Sequence, residues 1–348
     1  MKRNIAIIAG GDSSEYEVSL RSAAGIESFL ADQKQSTTTV VLLRGNAWKA
    51  KVSDSEWAEI DKNDFSYTYN GVKYTFDFAY ITIHGTPGEN GVLQGYLDMI
   101  GLPYSCCGVL AAAMTFNKYT CNHYLKGFGV KVAESVLLRK AKGERLEVKG
   151  EDIIKQVGLP CFIKTNVGGS SFGVTKVKTL EEVKPAIKKA FVEGDEVICE
   201  AFMKGIEITC GAYKTKNKAV AFPITEVVTS NEFFDYDAKY NGQVDEITPA
   251  RIPDEVRDAV QAMTLKIYDI LGCKGIIRVD YILTSLEDGT KCLQDDCAYS
   301  LEAKGMEINL LEVNTTPGMT ATSFIPQQVR AAGLNIGEVL SEIVEDNF

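Results

Sequence analysis

The chain has 348 residues, which at roughly 150 residues per domain predicts two or three globular units. Hydrophobic residues make up 45% and charged residues 24%, ordinary values that exclude disordered and fibrous classes, and no apolar run reaches the roughly 18–20 residues of a membrane span. The formal charge is −10, from 37 basic and 47 acidic residues, with no long basic block, which argues against nucleic acid or an anionic membrane as a partner.

Residues 4–9 read as a short buried strand ending in Gly10-Gly11, a break that comes too early for a signal peptide. Ser14 and Glu17 have capping-box spacing, and Ala23, Ile26 and Leu30 give the following helix an apolar stripe. Residues 39–43 and 78–83 read as further strands, and Asn70-Gly71 between two alternating segments is a hairpin signal. Leu93, Tyr96, Leu97 and Ile100 fit one helix face, stopped by Gly101. The first hundred residues therefore predict a βαβ-type unit.

A helix is expected over 114–126 and a strand over 132–138, followed by a charged stretch to 151. Strands over 161–164 and 173–177 flank a glycine-rich loop, and a helix over 181–191, with Pro185 inside it, precedes a strand over 196–200. The last third has a helix over 254–271 with Gly272 as its stop, strands over 275–283 and 307–314, and two final helices. Three domains follow, divided near 112 and near 203. Nine scattered cysteines without a C-x-x-C pair, and only His84 and His123 as histidines, give neither zinc spacing nor a disulfide framework. Reduced, buried thiols in a cytoplasmic protein are the expectation.

Two constellations carry chemistry. Lys164 precedes Asn166-Val167-Gly168-Gly169-Ser170-Ser171-Phe172-Gly173, where glycine lets backbone N–H groups approach phosphate oxygens. A strand follows instead of a helix, so this is neither a Walker A loop nor a dinucleotide fingerprint; a hairpin over a triphosphate and a plain surface hairpin both fit. Arg278 and Asp280 share one face of a strand, as do Glu312 and Asn314 on another. If those strands pair antiparallel, two carboxylates and an amide oxygen converge beside Arg278, hard ligands suited to Mg²⁺; ordinary surface salt bridges are the competing reading. Glu15 and His84 follow strand ends and can line one crevice, although each alone reads as structural. The segment 230–243 fits a lid or a solvated loop. Glu200 and Glu207 bracket Phe202-Met203, an adenine edge or core packing.

Taken in order, these motifs resemble the D-alanine–D-alanine ligases of the ATP-grasp superfamily. The match covers nearly the whole chain, from Gly10-Gly11, Glu15 and Glu17-Val18-Ser19, through His84-Gly85 and Gly91-x-x-Gln94-Gly95, to Leu311-Glu312-x-Asn314-Thr315-x-Pro317-Gly318-Met319-Thr320. The resemblance implies an α/β chain, α+β in its nucleotide-binding part. An N-terminal Rossmann-like domain (1–112) would bind the first D-alanine, with a central ATP-grasp subdomain (113–203) and a C-terminal one (204–348) carrying lid, metal and substrate sites.

For ATP the resemblance implies Lys118, Lys164, Gly169, Ser170, Ser171, Glu200, Phe202, Met203, Glu207, Phe233, Lys239 and Leu311. For two Mg²⁺ ions, with Mn²⁺ as substitute, it implies Asp280, Glu312 and Asn314. Glu15, Val18 and His84 would serve the first D-alanine, Ser323 and Phe324 the second. Arg278 and the Gly318 N–H would hold the oxyanion, and Ser170 and Tyr240 would link the lid to Glu15. It further implies a homodimer acting on small molecules, with D-alanyl-D-alanine made for peptidoglycan precursors. Thr165 replaces a common proline, Phe324 a common leucine, and residues 285–304 look like an insertion between the metal-bearing strands. Relatives making D-alanyl-D-lactate usually carry histidine at the Tyr240 position and D-alanyl-D-serine ligases often carry arginine where Phe324 stands, so an amine acceptor and D-alanine are expected. A non-catalytic relative would lack some of Lys164, Arg278, Asp280, Glu312 and Asn314, and all are present.

Overall fold

The computed structural model describes residues 2–33, 36–140, 149–169, 173–229, 244–285 and 305–348. Three β-sheets organise them. In the first, β1 (Arg3–Gly10) lies between β2 (Ser36–Arg44) and β7 (Phe78–Ile81), parallel to both. Its run of buried residues, Ile5 to Gly10, is what a strand covered on both faces requires. β3 (Ala47–Lys51), β4 (Trp57–Asp61), β5 (Ser66–Tyr69) and β6 (Val72–Tyr74) extend the sheet antiparallel. The Asn70-Gly71 turn has φ of 50° and 76° at its central residues, the left-handed pair a tight hairpin needs.

Helix α1 (Tyr16–Ala31) buries Ala23, Ile26 and Leu30 as the periodicity predicts. The capping box is not used: the helix starts one residue later, with Glu15 at the N-cap and no side chain capping it. Helix α2 (Val92–Ile100) ends at left-handed Gly101. The single helix expected over 114–126 is two, α3 (Val109–Phe116) and α4 (Lys118–Lys126). Asn117 breaks it by adopting extended backbone and accepting a hydrogen bond from the Thr120 N–H, the local competition that favours asparagine at caps.

The second sheet is antiparallel, in the order β11 (Thr175–Val177), β10 (Cys161–Thr165), β12 (Glu196–Ala201), β9 (Ser135–Arg139). Helices α5 (Gly150–Val157) and α6 (Leu180–Glu193) cover it through a core that includes Ile153, Val183, Ile163 and Cys199. The expected strand over 132–138 is divided: its start belongs to β8 (Lys131–Val132), which pairs in the third sheet, and its remainder to β9.

The third sheet contains β13 (Ile206–Thr215), β14 (Lys218–Ala221), β15 (Thr225–Thr229), β16 (Val244–Ile247), β17 (Ile276–Ser285) and β18 (Met306–Asn314), in the order β16-β15-β13-β17-β18-β8 with β14 beside β13. Along β17 the odd positions Ile277, Val279, Tyr281 and Leu283 enter the core under α7 (Asp254–Ile270). Alternation then sends Arg278, Asp280 and Ile282 to the opposite face. At the far end of that face Ile276 joins Tyr213, Phe222, α8 (Phe324–Ala331) and α9 (Ile336–Glu345), packed with Ile5, Ile7 and Ile26 of the first unit. One core thus ties the first sheet to the third. Among the described residues no helix is long and apolar enough to cross a membrane, and the seven described cysteines are buried, with none in a disulfide.

Candidate active site

β17 and β18 pair antiparallel with Asp280 opposite Glu312 and Arg278 opposite Asn314. The juxtaposition that the sequence required is therefore present. A bulge immediately beyond Asp280 shifts the register by one, leaving Leu311 without an opposite partner, and such extra residues re-aim side chains at a strand end. The Arg278 guanidinium binds Asp280 in a fork, Nε to Oδ1 at 2.8 Å and Nη2 to Oδ2 at 2.7 Å, and lies 4.0 Å from Glu312 Oε1. Thr209 on β13 donates to Asp280 Oδ1 at 2.6 Å. Asp280 raises the pKa of Arg278 despite the opposing effect of burial, so its charge is permanent.

Two lysines enter from two elements. Lys118 opens α4 directly after the Asn117 cap; its Nζ donates to the Gly168 carbonyl at 2.6 Å and lies 3.6 Å from Glu312 Oε2. Lys164 on β10 pairs with Glu200 on the neighbouring β12 at 2.5 Å. Burial works against its charge and Glu200 outweighs it, leaving its pKa raised. Glycine at 169 is demanded by close approach: a Cβ there would stand 2.7 Å from Glu15 Oε2. The glycine-rich loop thus rests against the carboxylate at the start of α1.

Glu15 owes its position to the turn Gly10–Gly11, both left-handed, and to Ser13. The Ser13 hydroxyl accepts from the Glu15 N–H at 3.2 Å and donates to the His84 carbonyl at 2.6 Å, joining the ends of β1 and β7. His84 Nε2 lies 3.4 Å from the Ser22 hydroxyl, which accepts from the Met319 N–H at 3.3 Å. Burial pushes the imidazole below its usual range, against the pull of Glu15 and with the help of the Arg278 charge; His84 is neutral near pH 7. Ser323, the N-cap of α8, accepts from the Thr320 N–H at 3.1 Å, and a Cβ on Gly318 would meet its Oγ at 3.0 Å. Phe324 lies under Arg278, with the guanidinium carbon 5.3 Å from the ring centre.

Glu15, His84, Lys118, Lys164, Gly169, Arg278, Asp280, Glu312, Asn314, Gly318, Ser323 and Phe324 line one cavity of about 960 Å³. Val18, Glu200, Phe202, Met203, Glu207 and Leu311 line it too, so every expected site residue that is described faces the same space. Ser170, Ser171, Phe233, Lys239 and Tyr240 lie outside the described residues, as do the lid segment 230–243 and all but the first residue of the excursion 285–304.

Sequence reasoning missed four contributors: Ser13, Ser22, Thr209 and Glu89. Glu89 lies in the tight loop after His84, and its Oε2 accepts from the Gly85 N–H at 2.6 Å. Burial, reinforced by Glu15, pushes its carboxyl up to about 8. Oriented to satisfy both neighbours, the Asn314 amide donates to Glu89 Oε1 at 3.2 Å and accepts from Arg278 Nη2 at 2.9 Å. An acidic residue in a glycine-rich turn just beyond a buried strand was the available signal.

The chain matches family models described as "D-ala D-ala ligase N-terminus" over residues 4–107 and "D-ala D-ala ligase C-terminus" over 124–295 and 297–345. It is 61% identical over 348 residues to a D-alanine–D-alanine ligase of Bacteroides fragilis, covering 100% of both chains. Among solved structures, a D-alanyl-alanine synthetase A from Vibrio cholerae superposes with a TM-score of 0.81 at 27% identity, over 99% of this chain and 98% of that one. A D-Ala:D-Ser ligase from Enterococcus faecalis superposes with a TM-score of 0.81 at 27% identity, over 100% of each chain. The architecture is ATP-grasp, and the chain belongs to the D-alanine–D-alanine ligase family.

Proposed function

We propose that the chain joins two D-alanine molecules into D-alanyl-D-alanine, consuming ATP and releasing ADP and phosphate. The observation that carries this reading is the cross-strand pairing of Asp280 with Glu312 and Arg278 with Asn314, opening on a cavity also lined by Glu15, Lys118 and Lys164. The carboxylate of the first D-alanine attacks the γ-phosphorus, the bond to the β-phosphate oxygen breaks, and an acyl phosphate forms. The amine of the second D-alanine then attacks the acyl carbon and phosphate leaves. Phosphoryl transfer depends mainly on positioning and charge neutralisation, which is the part we assign to Lys118 and Lys164. Arg278 and the Gly318 N–H would stabilise the tetrahedral oxyanion, at roughly 3 kcal/mol per well-placed donor.

Glu15 binds the ammonium of the first D-alanine, beside neutral His84 and Val18; Ser323 and Phe324 serve the second. Glu200, Glu207, Phe202, Met203 and Leu311 take the adenosine. Asp280, Glu312 and Asn314 form a hard oxygen donor set that fits Mg²⁺, two ions being expected and Mn²⁺ a substitute. When bound, the metal would neutralise phosphate charge between the transferred group and ADP. Ser170, Tyr240, Ser171, Phe233 and Lys239 complete the lid side of this assignment, excluding water from the acyl phosphate. A division at 1–112, 113–203 and 204–348, a homodimer and a cytoplasmic location belong to the same proposal.

The test is phosphate release from ATP and Mg²⁺ with D-alanine, D-serine or D-lactate. Turnover dependent on D-alanine is expected; its absence defeats the reading, and equal use of D-serine defeats the acceptor assignment.

A further inference from the structure

The loop between β7 and α2 is held from several sides. Asp12 N–H donates to the Thr86 carbonyl at 2.9 Å, and Glu89 N–H to the Gly85 carbonyl at 2.9 Å. Gln94, fully buried, donates to the Gly88 carbonyl at 2.5 Å. A Cβ on Gly88 would meet the Ile83 carbonyl oxygen at 2.4 Å, so the turn is also packed against its own strand. Glu89 is therefore a fixed point: its backbone bonds Gly85, its Oε2 accepts from the Gly85 N–H at 2.6 Å, and its remaining oxygen faces Asn314.

Asparagine presents a difficulty that a carboxylate does not. Its amide has an oxygen and an NH₂ of nearly the same shape, and only the oxygen can serve a cation or accept from a guanidinium. Something must decide which way it faces. With the amide turned to satisfy both neighbours, Arg278 Nη2, a donor, lies 2.9 Å from its oxygen on one side, and Glu89 Oε1, an acceptor, lies 3.2 Å from its nitrogen on the other. The two neighbours require the same orientation.

We propose that Glu89 is a positioning residue that fixes the Asn314 amide with its oxygen toward Arg278, Asp280 and Glu312, and so links the loop beyond His84 to divalent-metal binding. It acts through Asn314 and touches neither the nucleotide nor the reacting atoms. The proposal rests on the assignment of Asn314 as a metal ligand. Outer partners of metal ligands typically contribute 10–100-fold to metal affinity, and Glu89 has the geometry of such a partner.

The test is Mn²⁺ binding to the full chain with ADP, followed by the loss of the free-ion electron paramagnetic resonance signal, as a double-mutant cycle. Glu89→Ala is expected to weaken Mn²⁺ about tenfold while ADP affinity in EDTA stays within twofold. In an Asn314→Asp background, where both side-chain oxygens are equivalent and no orientation needs setting, Glu89→Ala should change Mn²⁺ affinity less than twofold. Equal weakening in both backgrounds, or a parallel loss of ADP affinity in EDTA, would overturn the positioning role. Asn314→Ala separates the two levels. If it leaves Mn²⁺ affinity unchanged, the ligand assignment itself fails; if it weakens Mn²⁺ and Glu89→Ala does not, only the present proposal fails. Should Glu89→Ala not fold, Glu89→Gln, which keeps the volume but brings an NH₂ to one of the two donors, carries the same cycle with an expected weakening of at least about threefold.

Discussion

Arg278 has three neighbours that determine what it can do. Asp280 holds one edge of its guanidinium through the Nε and Nη2 bonds, Asn314, with its amide turned to suit both neighbours, accepts from Nη2, and Phe324 lies against its plane. A planar fork held in this way cannot be replaced by a point charge, because lysine would satisfy neither Asp280 edge-on nor the ring. Its charge is largely buried, and removal strands the Asp280 carboxylate with Thr209 as its remaining neutral donor. Arg278→Ala is expected to lower kcat/KM by at least about 10² through loss of oxyanion stabilisation, and Arg278→Lys to recover little of it. Steady-state kinetics with D-alanine varied would check this; near-normal kcat/KM in the alanine variant would remove the oxyanion role. Phe324, which the sequence marks only as a departure from leucine, gains a physical reason here: an aromatic face under the guanidinium adds a cation–π contact worth about 0.5–2 kcal/mol.

Among the elements, α1 does the most to assemble the site, and it does so with small residues. Its first turn places Glu15, Ser22 reaches Met319, and at Gly25 the helix crosses the Met319 carbonyl so closely that a Cβ would stand 2.1 Å from that oxygen. The atom met is backbone, so the segment carrying Gly318 would have to move. Gly25→Ala is expected to cost about 1–3 kcal/mol by overpacking despite alanine's better helix propensity, and to lower kcat as Gly318 shifts. Gly95→Ala in α2 is the control: its nearest contact would be a Val109 methyl at 3.7 Å, so stability should hold or rise by up to about 1 kcal/mol. Thermal unfolding of both variants decides, and equal behaviour would refute the close-approach argument.

These details also explain what could be read in advance. The strands β17 and β18, the first-sheet core and the hairpin at Asn70-Gly71 were legible because alternation and turn chemistry are local. The break at Asn117, the division of residues 131–139 between two sheets and the strands β13 to β15 were not. Each is decided by a partner distant in sequence, and Gly211 on β13, where a Cβ would meet Ile325, Gln328 and Phe222 within 2.8 Å, makes sense only once α8 is packed against it. The capping-box spacing misled for a functional reason, since Glu15 takes the N-cap position and turns its carboxylate to Gly169 instead of capping the helix. Glu89 and Thr209 were missed because their role is to hold other site residues, which leaves no spacing pattern.

At the scale of the whole molecule the cavity has an unexpected electrostatic balance for a site assigned to ATP. Its walls carry eight carboxylates against five lysines and arginines, so acids are in excess, and the chain as a whole bears −10. Lys118, Lys164 and Arg278 are each already engaged by an acid. A triphosphate of about four negative charges entering such a site faces repulsion that nearby cations only partly offset, and in a partly buried space that repulsion is weakly screened. On the proposed assignment, a divalent metal held where Asp280, Glu312 and Asn314 converge would supply the missing charge. Removing it with EDTA is therefore expected to weaken ATP affinity by at least about tenfold. It should also abolish most of the thermal stabilisation by nucleotide, which a ligand at 100 times its Kd would otherwise raise to about 2.7 kcal/mol. Asp280→Asn with Glu312→Gln should partly reverse the dependence, binding metal-free ATP better than the wild type while losing turnover. Calorimetric titration of ATP with and without Mg²⁺ in both proteins checks it. Metal-independent ATP affinity in the wild type would mean that the carboxylate pair serves structure and the nucleotide is held by other groups.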